Sequence, residues 1–400
     1  MKYAYNSKCR KSKRRAGATV LTIASLAFPI SATAEPVHAP SIVITASPLA
    51  RTTSELAQPV SIVEKEEISR SGAATLGNLL GAQPGVAQSS FTRGASRPII
   101  RGLDNSRVRI QENGLAAHDV SALSEDHGVP IDPSAAERVE VIRGPAALRY
   151  GSEAIGGLVS VLNNRIPDKA PDGGFEAEAE ANTTTADSGV MGRGSVDVSE
   201  GPIAVHIDAF ARSADDYSTP QGTQANSAAE ASGLSAGVSY LLPNGHVGVS
   251  VTQYNSDYRV PGAKAAANRI AIDLEQMRYA AAARLEDLSG FFTGLSADVG
   301  YSDYIHEEVS KVTGTIGSRF DNEEWEGRLE LLHRAIGDVE GAWGIQAASR
   351  DLSAAGEGGE LIAPSTSNRF AAFLFEEWKI NPALRLQVSG RIERVELEGL

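Results

Sequence analysis

The 400 residues carry 37 Lys and Arg against 50 Asp and Glu, a net charge of −13. That balance excludes a chain built to grip a phosphate backbone. Apolar residues make up 42%, mean hydropathy is −0.17, and no apolar run after residue 35 reaches the roughly 18 residues of a membrane helix. A membrane β-barrel stays open, because its strands alternate apolar and polar residues and average out as water-compatible.

In chain order, Lys2, Lys8, Arg10, Lys11, Lys13, Arg14 and Arg15 form a cationic head, Thr19 to Ile30 an apolar stretch, and Ala32-Thr33-Ala34 a small-x-small site. This three-part pattern predicts a secretory signal over residues 1–34, cleaved before Glu35. The single cysteine, Cys9, lies in the head. The mature chain therefore has none, and −13 less seven cations leaves it at −20. Any metal site must then draw on His, Asp and Glu. Residues 35–57 read as an N-terminal extension.

Residues 58–165 read as a compact α+β domain. Gln58–Val63 is a strand, Lys65–Ser71 and Thr75–Ala82 are helices, and Gln83-Pro84-Gly85 stops the second. Pro98–Arg101, Arg107–Gln111, Arg138–Ile142 and Leu158–Leu162 are further strands. Phe91 and Tyr150 are the only aromatics in 35–165, against 18 in 166–400, so the texture changes near residue 166.

From there a period of two takes over. Phe175, Ala177, Ala179 and Ala181 alternate with Glu176, Glu178, Glu180 and Asn182, and Val247, Val249 and Val251 repeat the rule. Tight turns fall at Glu200-Gly201-Pro202, Pro243-Asn244-Gly245, Leu288-Ser289-Gly290, Ile336-Gly337-Asp338 and Asn381-Pro382. Longer loops are expected near 213–231, 257–271, 307–321 and 351–368. Two-faced strands of roughly 10–14 residues, with short turns at one end and long loops at the other, predict an antiparallel transmembrane β-barrel over 166–400. The count is about eleven strands, half of the 22 of a large plugged transporter. The expectation is an incomplete barrel that cannot close alone, the front of a longer protein or a truncated product.

Four segments then carry a resemblance. Ser41-Ile42-Val43-Ile44-Thr45-Ala46 is an extended, β-branched strip near the mature N-terminus. Ile100-Arg101-Gly102 leads to Arg107-Val108-Arg109-Ile110. Arg138-Val139-Glu140-Val141-Ile142-Arg143-Gly144-Pro145 is followed by Tyr150-Gly151-Ser152 and Ala154-Ile155-Gly156-Gly157. Together these resemble the TonB-dependent outer-membrane receptors of Gram-negative bacteria, with 41–46 similar to the TonB box and 58–165 to the plug. Val260-Pro261-Gly262, Ile272–Gln276, Tyr301–Glu308 and Phe320–Glu324 look like the subgroup that includes the outer-membrane zinc receptor.

The resemblance implies the rest. His118, Asp119, Asp126 and His127 are similar to that subgroup's zinc-binding plug loop, and His306 or Glu307 from the barrel would complete the shell. Imidazoles and carboxylates of this kind suit a borderline-soft divalent ion. The stretch after Val260-Pro261-Gly262 is Ala263–Asn268, with no histidine where the zinc receptors often carry several; an iron-siderophore, haem or other metal complex stays open beside zinc. Ile42, Val43, Ile44 and Thr45 would pair with TonB on the periplasmic side.

Nothing resembles a phosphate-binding loop, a nucleophile elbow or a His-Glu-x-x-His helix. The reading is a non-enzyme without a prosthetic group, a monomer in outer-membrane lipid, importing a metal ion or chelate. The competing expectation is a passive barrel or surface adhesin with a structural plug. A receptor that also signals would need a further domain before the box, which Glu35–Pro40 is too short to hold.

Overall fold

A computed structural model of the protein describes residues 48–49, 51–52, 55–56, 59–143, 147–360 and 362–399. The expected signal over 1–34 and the expected TonB-box residues Ile42, Val43, Ile44 and Thr45 lie outside the described residues.

The plug begins with Val60–Glu64 (β1), which runs straight into Lys65–Ser71 (α1). Glu66 and Glu67 in its first turn and Arg70 in its last suit the helix dipole, and Gly72 at φ +57° ends it. Thr75 caps Leu76–Leu80 (α2), its hydroxyl accepting from the Asn78 amide at 3.3 Å. Val86–Ser90 (β2) pairs with Ser96–Ile100 (β3) in a hairpin outside the main sheet. Val108–Glu112 (β4), Leu115–Ala116 (β5), Arg138–Ile142 (β6), Ala147–Tyr150 (α3) and Gly157–Leu162 (β7) follow.

The sheet order is β1-β6-β7-β4-β5, with β4 parallel to β7 and the other pairs antiparallel. Val63, Ile68, Leu80, Ile100, Val139, Val141, Val159 and Val161 fill one core beneath the helices. Each such side chain contributes about 1.5–3 kcal/mol on burial. That is why a sheet this short holds its shape.

Eleven strands make the second sheet: Phe175–Thr183 (β8), Val190–Glu200 (β9), Ile203–Ala214 (β10), then, after the small hairpin Ser218–Thr219 (β11) and Gly222–Thr223 (β12), Ala229–Leu242 (β13) and Gly245–Arg259 (β14). The helix Ala263–Asn268 (α4) precedes Ile270–Leu285 (β15), Phe292–Ser310 (β16), Ile316–Ile336 (β17), Val339–Gly356 (β18), Ser365–Asn381 (β19) and Leu384–Gly399 (β20). Every neighbour in the order β8-β9-β10-β13 to β20 is antiparallel. All five expected tight turns join consecutive strands at one end of the sheet.

The two faces differ as a lipid-embedded wall requires. Ile207, Leu234, Val249, Tyr279, Val299, Trp325, Ile345 and Leu374 are exposed outside, while Asp208, Gln276, Arg278, Asp298, Asn322, Glu326 and Arg328 are buried inside against the plug.

One expectation needs correction. Strands β16, β17 and β18 run 19, 21 and 18 residues, so much of the stretches 307–321 and 351–368 is strand rather than loop. At about 3.4 Å per residue they stand well above a lipid band about 25 Å tall. Above that band neither face needs to be apolar. Charged alternation such as Glu307, Glu308, Arg319 and Asp321 therefore still pairs as a ladder.

Candidate metal centre at the contact of plug and wall

The plug segment from Ala117 to Ile131 leaves β5 and crosses to the wall formed by β14 to β18. Its base is held by its own carbonyls. Gln276 donates to the carbonyls of Ala117 and His118 at 3.0 and 3.1 Å, Asn322 donates to that of His118 at 3.3 Å, and Arg350 donates to that of Asp119 at 3.1 Å. Four hydrogen bonds from three wall side chains thus fix a loop that has no secondary structure of its own.

Side chains in this base are committed through one polar atom each, His118 Nδ1 and Asp119 Oδ2 being buried without a hydrogen-bond partner among the described residues. The ring Nε2 of His118 lies 3.3 Å from Glu326 Oε2. Glu326 accepts from Arg109 at 2.6 Å and from the Ala116 amide at 2.8 Å. Burial works against the charge of Arg109, but Glu326 and then Glu153 outweigh it and hold the guanidinium above its usual range. The Asp119 carboxylate turns back to accept from the amide and hydroxyl of Ser121 at 2.8 and 2.5 Å. The structure brings His118 and Asp119 to these partners, and to neither His127 nor His306.

Farther along the loop, His127 meets the wall. Its ring packs 4.1 Å, centroid to centroid, from that of His306, with the planes at 52°. His127 Nδ1 lies 3.1 Å from the Val120 carbonyl, which assigns a proton to that nitrogen and leaves the Nε2 lone pair free. His306 Nδ1 lies 3.2 Å from the Tyr304 hydroxyl, and His306 Nε2 is buried with no hydrogen-bond partner among the described residues. Glu308 Oε1 is 3.9 Å from His127 Nε2. One ligand atom from each of His127, His306 and Glu308 lies within 4.8 Å of the others.

The surroundings shield the two rings from water. Phe320 stands edge-on to both rings, at 5.0 and 5.6 Å. Val120, Tyr254, Tyr258, Ile272, Leu274 and Leu352 continue the apolar cluster around it. His127 is 2% exposed and His306 0%. Two buried imidazoles and a partly exposed carboxylate match the donor set of a divalent ion of the zinc or copper type. Tetrahedral bonds of about 2.0–2.1 Å would need the three atoms to close to roughly 3.4 Å. The orphaned Nε2 of His306 is the observation that fits a cation, since a buried nitrogen otherwise loses its hydrogen bond for nothing.

Asp126 and Glu307 stand at the margin. Asp126 Oδ1 is 3.9 Å from His127 Nε2 and is bonded to the Ser124 hydroxyl. Glu307 faces the side of β16 opposite to His306 and pairs with Arg319 at 2.6 Å. Glu308, which the sequence reading passed over, is the carboxylate on the inner face. The signal was available, because in a strand of period two a residue shares its face with the one two positions away.

Residues 52–158 match the family model of the TonB-dependent receptor plug domain. Over 184 residues the chain is 29% identical to the vitamin B12 transporter BtuB of Vibrio vulnificus (strain CMCP6), a match covering 43% of this chain and 30% of that one. In fold it is similar to the copper transporter OprC, with a TM-score of 0.73 at 15% identity, over 90% of this chain and 56% of that one. It is also similar to the alcaligin outer-membrane receptor FauA of Bordetella pertussis, with a TM-score of 0.68 at 18% identity, over 89% and 59%. The chain thus spans under a third of that transporter sequence and rather more than half of these two structures. The matches support a TonB-dependent receptor plug followed by the strands of an outer-membrane barrel.

Proposed function

We propose that the protein takes up a divalent metal ion through the outer membrane, with His127, His306 and Glu308 as the ligands that first hold it and a TonB partner drawing on residues 41–46 to release it. The observation that supports this reading most is the unmatched, buried Nε2 of His306, on a ring that packs against His127 and offers a ligand atom within 4.8 Å of those of His127 and Glu308. A bare ion suits the pocket better than a chelate. A siderophore or corrin complex brings its own filled coordination shell and would have no use for three converging protein ligands. The zinc-receptor likeness of the plug loop and the copper transporter among the similar folds both agree with a borderline-soft cation. The B12 and alcaligin proteins keep a chelate as the outcome to test against.

One ligand comes from the plug and two from the wall, so any movement of the plug loop away from β16 takes the site apart. Binding and release then need no second conformation of the wall, only a displacement of the plug. Titration of the purified protein with Zn²⁺, Cu²⁺ and a ferric chelate tests the cargo, and saturable binding of the chelate with none of the bare ions overturns it. Replacing Ile44 with Pro removes a pairing N–H and is expected to abolish energised uptake while leaving ion binding unchanged. Uptake that persists in that variant refutes the box.

A further inference from the structure

His127 alone of the three ligands sits on a loop, so something must hold its ring toward the wall. The turn closes weakly on itself, the His127 amide reaching the Ser124 carbonyl at 3.4 Å. The stronger constraint comes from β14. Tyr258 ends that strand on its inner face and is wholly buried. Its hydroxyl accepts from the Gly128 amide at 2.8 Å and donates to the Asp126 carbonyl at 2.7 Å. These two groups flank His127 on either side, so one phenol oxygen straddles the ligand's own backbone.

Packing sets the position of that phenol without help from an ion. A Cβ on Gly94 would lie 2.3 Å from Tyr258 Cγ, and one on Gly128 would lie 2.8 Å from the Gly94 carbonyl oxygen and 3.4 Å from the Tyr258 hydroxyl. The ring fills a slot that two missing side chains create. Its oxygen has one donor and one acceptor to satisfy, and the two bonds use both.

We propose that Tyr258 is a positioning residue of the metal centre. By clasping the Asp126 carbonyl and the Gly128 amide, it aims Nε2 of His127 at His306 and Glu308. It does not touch the ion. This rests on reading the His127, His306 and Glu308 cluster as the cation site. Outer partners of this kind fix ligand orientation, and their loss typically lowers metal affinity about 10–100-fold.

The test uses the full chain purified in detergent and titrated with Zn²⁺, with Co²⁺ as the spectroscopic probe. Tyr258→Phe keeps the ring in its slot and deletes both hydrogen bonds. The expected result is a Zn²⁺ affinity about 10–100-fold weaker, with a Co²⁺ d–d spectrum that differs from wild type even at saturation. Tyr301→Phe, on the outer face of β16 where the hydroxyl bonds only to Glu323 at 3.2 Å, is expected to leave both unchanged. The saturated spectrum separates positioning from stability, because a merely looser fold would still fill with the same ligand field. Wild-type affinity and spectrum in Tyr258→Phe, with binding lost in His127→Ala, overturn the positioning role and leave the site standing. Unchanged binding in His127→Ala refutes the site itself, and the role of Tyr258 with it.

Discussion

Three histidine–carboxylate clusters line the contact between plug and wall, and they differ in one respect. His118 meets Glu326, which Arg109 neutralises at 2.6 Å. His206 lies 2.8 Å from Asp197 and 3.2 Å from Asp208, and Arg165 pairs with Asp208 at 3.3 Å. Around His127 and His306 the acid is Glu308, and among the described residues no arginine or lysine pairs with it. The same residue types thus make structural pins where a guanidinium is present and, where none is, the donor set proposed to hold a cation. An arginine satisfies the carboxylate and repels a metal, so the informative feature of a donor cluster is the absence of a resident cation.

Breaking a pin is expected to have the largest effect. Glu326→Ala strands Arg109 and His118 in a buried place and should cost about 3–5 kcal/mol. Faster hydrogen exchange at the amides of β4, with the outer strands unaffected, would register it. If exchange there is unchanged, Glu326 is not the pin it is drawn as. Next comes the open pocket. His306→Ala removes a ligand outright and is expected to weaken Zn²⁺ binding by more than the ~100-fold upper range for outer partners, and to lower stability as well, because the ring is wholly buried against His127 and Phe320.

A finer test of which carboxylate belongs to the pocket compares two neighbours. Glu308→Gln should lower affinity about tenfold or more, while Glu307→Gln, on the other face of β16, should leave calorimetric affinity at the wild-type value. Equal losses in both would erase the distinction between faces. Smallest is a pH effect at the rim. Asp216 sits in the loop before β13, and burial would raise its pKa, but the amides of Ser227, Asn226 and Ala228 outweigh this and hold it below its ordinary value near 3.8. A carboxyl lowered on folding contributes stability that is complete above the ordinary value and is lost as pH falls through the lowered one. The Ser227 amide should therefore stay protected at pH 5 and lose protection only below about pH 4.

Much of this was legible because the relevant signals are local. The helix over Lys65–Ser71 and the strand Arg138–Ile142 were read with their observed limits, and all five short turns were read because Gly, Pro, Asn and Asp mark a reversal wherever it occurs. The strand over 98–101 is present as Ser96–Ile100, but its hairpin partner Val86–Ser90 was missed. Its residues Ala87, Gln88 and Ser89 have little strand propensity, and the pairing with Arg97, Pro98 and Ile99 holds them extended. Asp126 and His127 were named from their likeness to a plug loop and His306 as a barrel residue to complete the shell, and the structure brings the two histidines together. What the sequence could not supply is a distance across 179 residues, which is set by how the wall wraps the plug. Arg109 beside Glu326, 217 residues apart, is illegible for the same reason, and with it the difference between a pin and a pocket.

A binding site shared between two bodies also acts as an adhesive between them. An ion that binds only while plug and wall are docked favours that docked arrangement by mass action, by about 2.7 kcal/mol when its concentration is 100 times its dissociation constant. If the proposed site holds, the ion-bound protein should be mechanically stiffer than the empty one, and the force needed to dislodge the plug should rise with the concentration of the ion. Tight scavenging and easy discharge then oppose each other in a single set of three side chains.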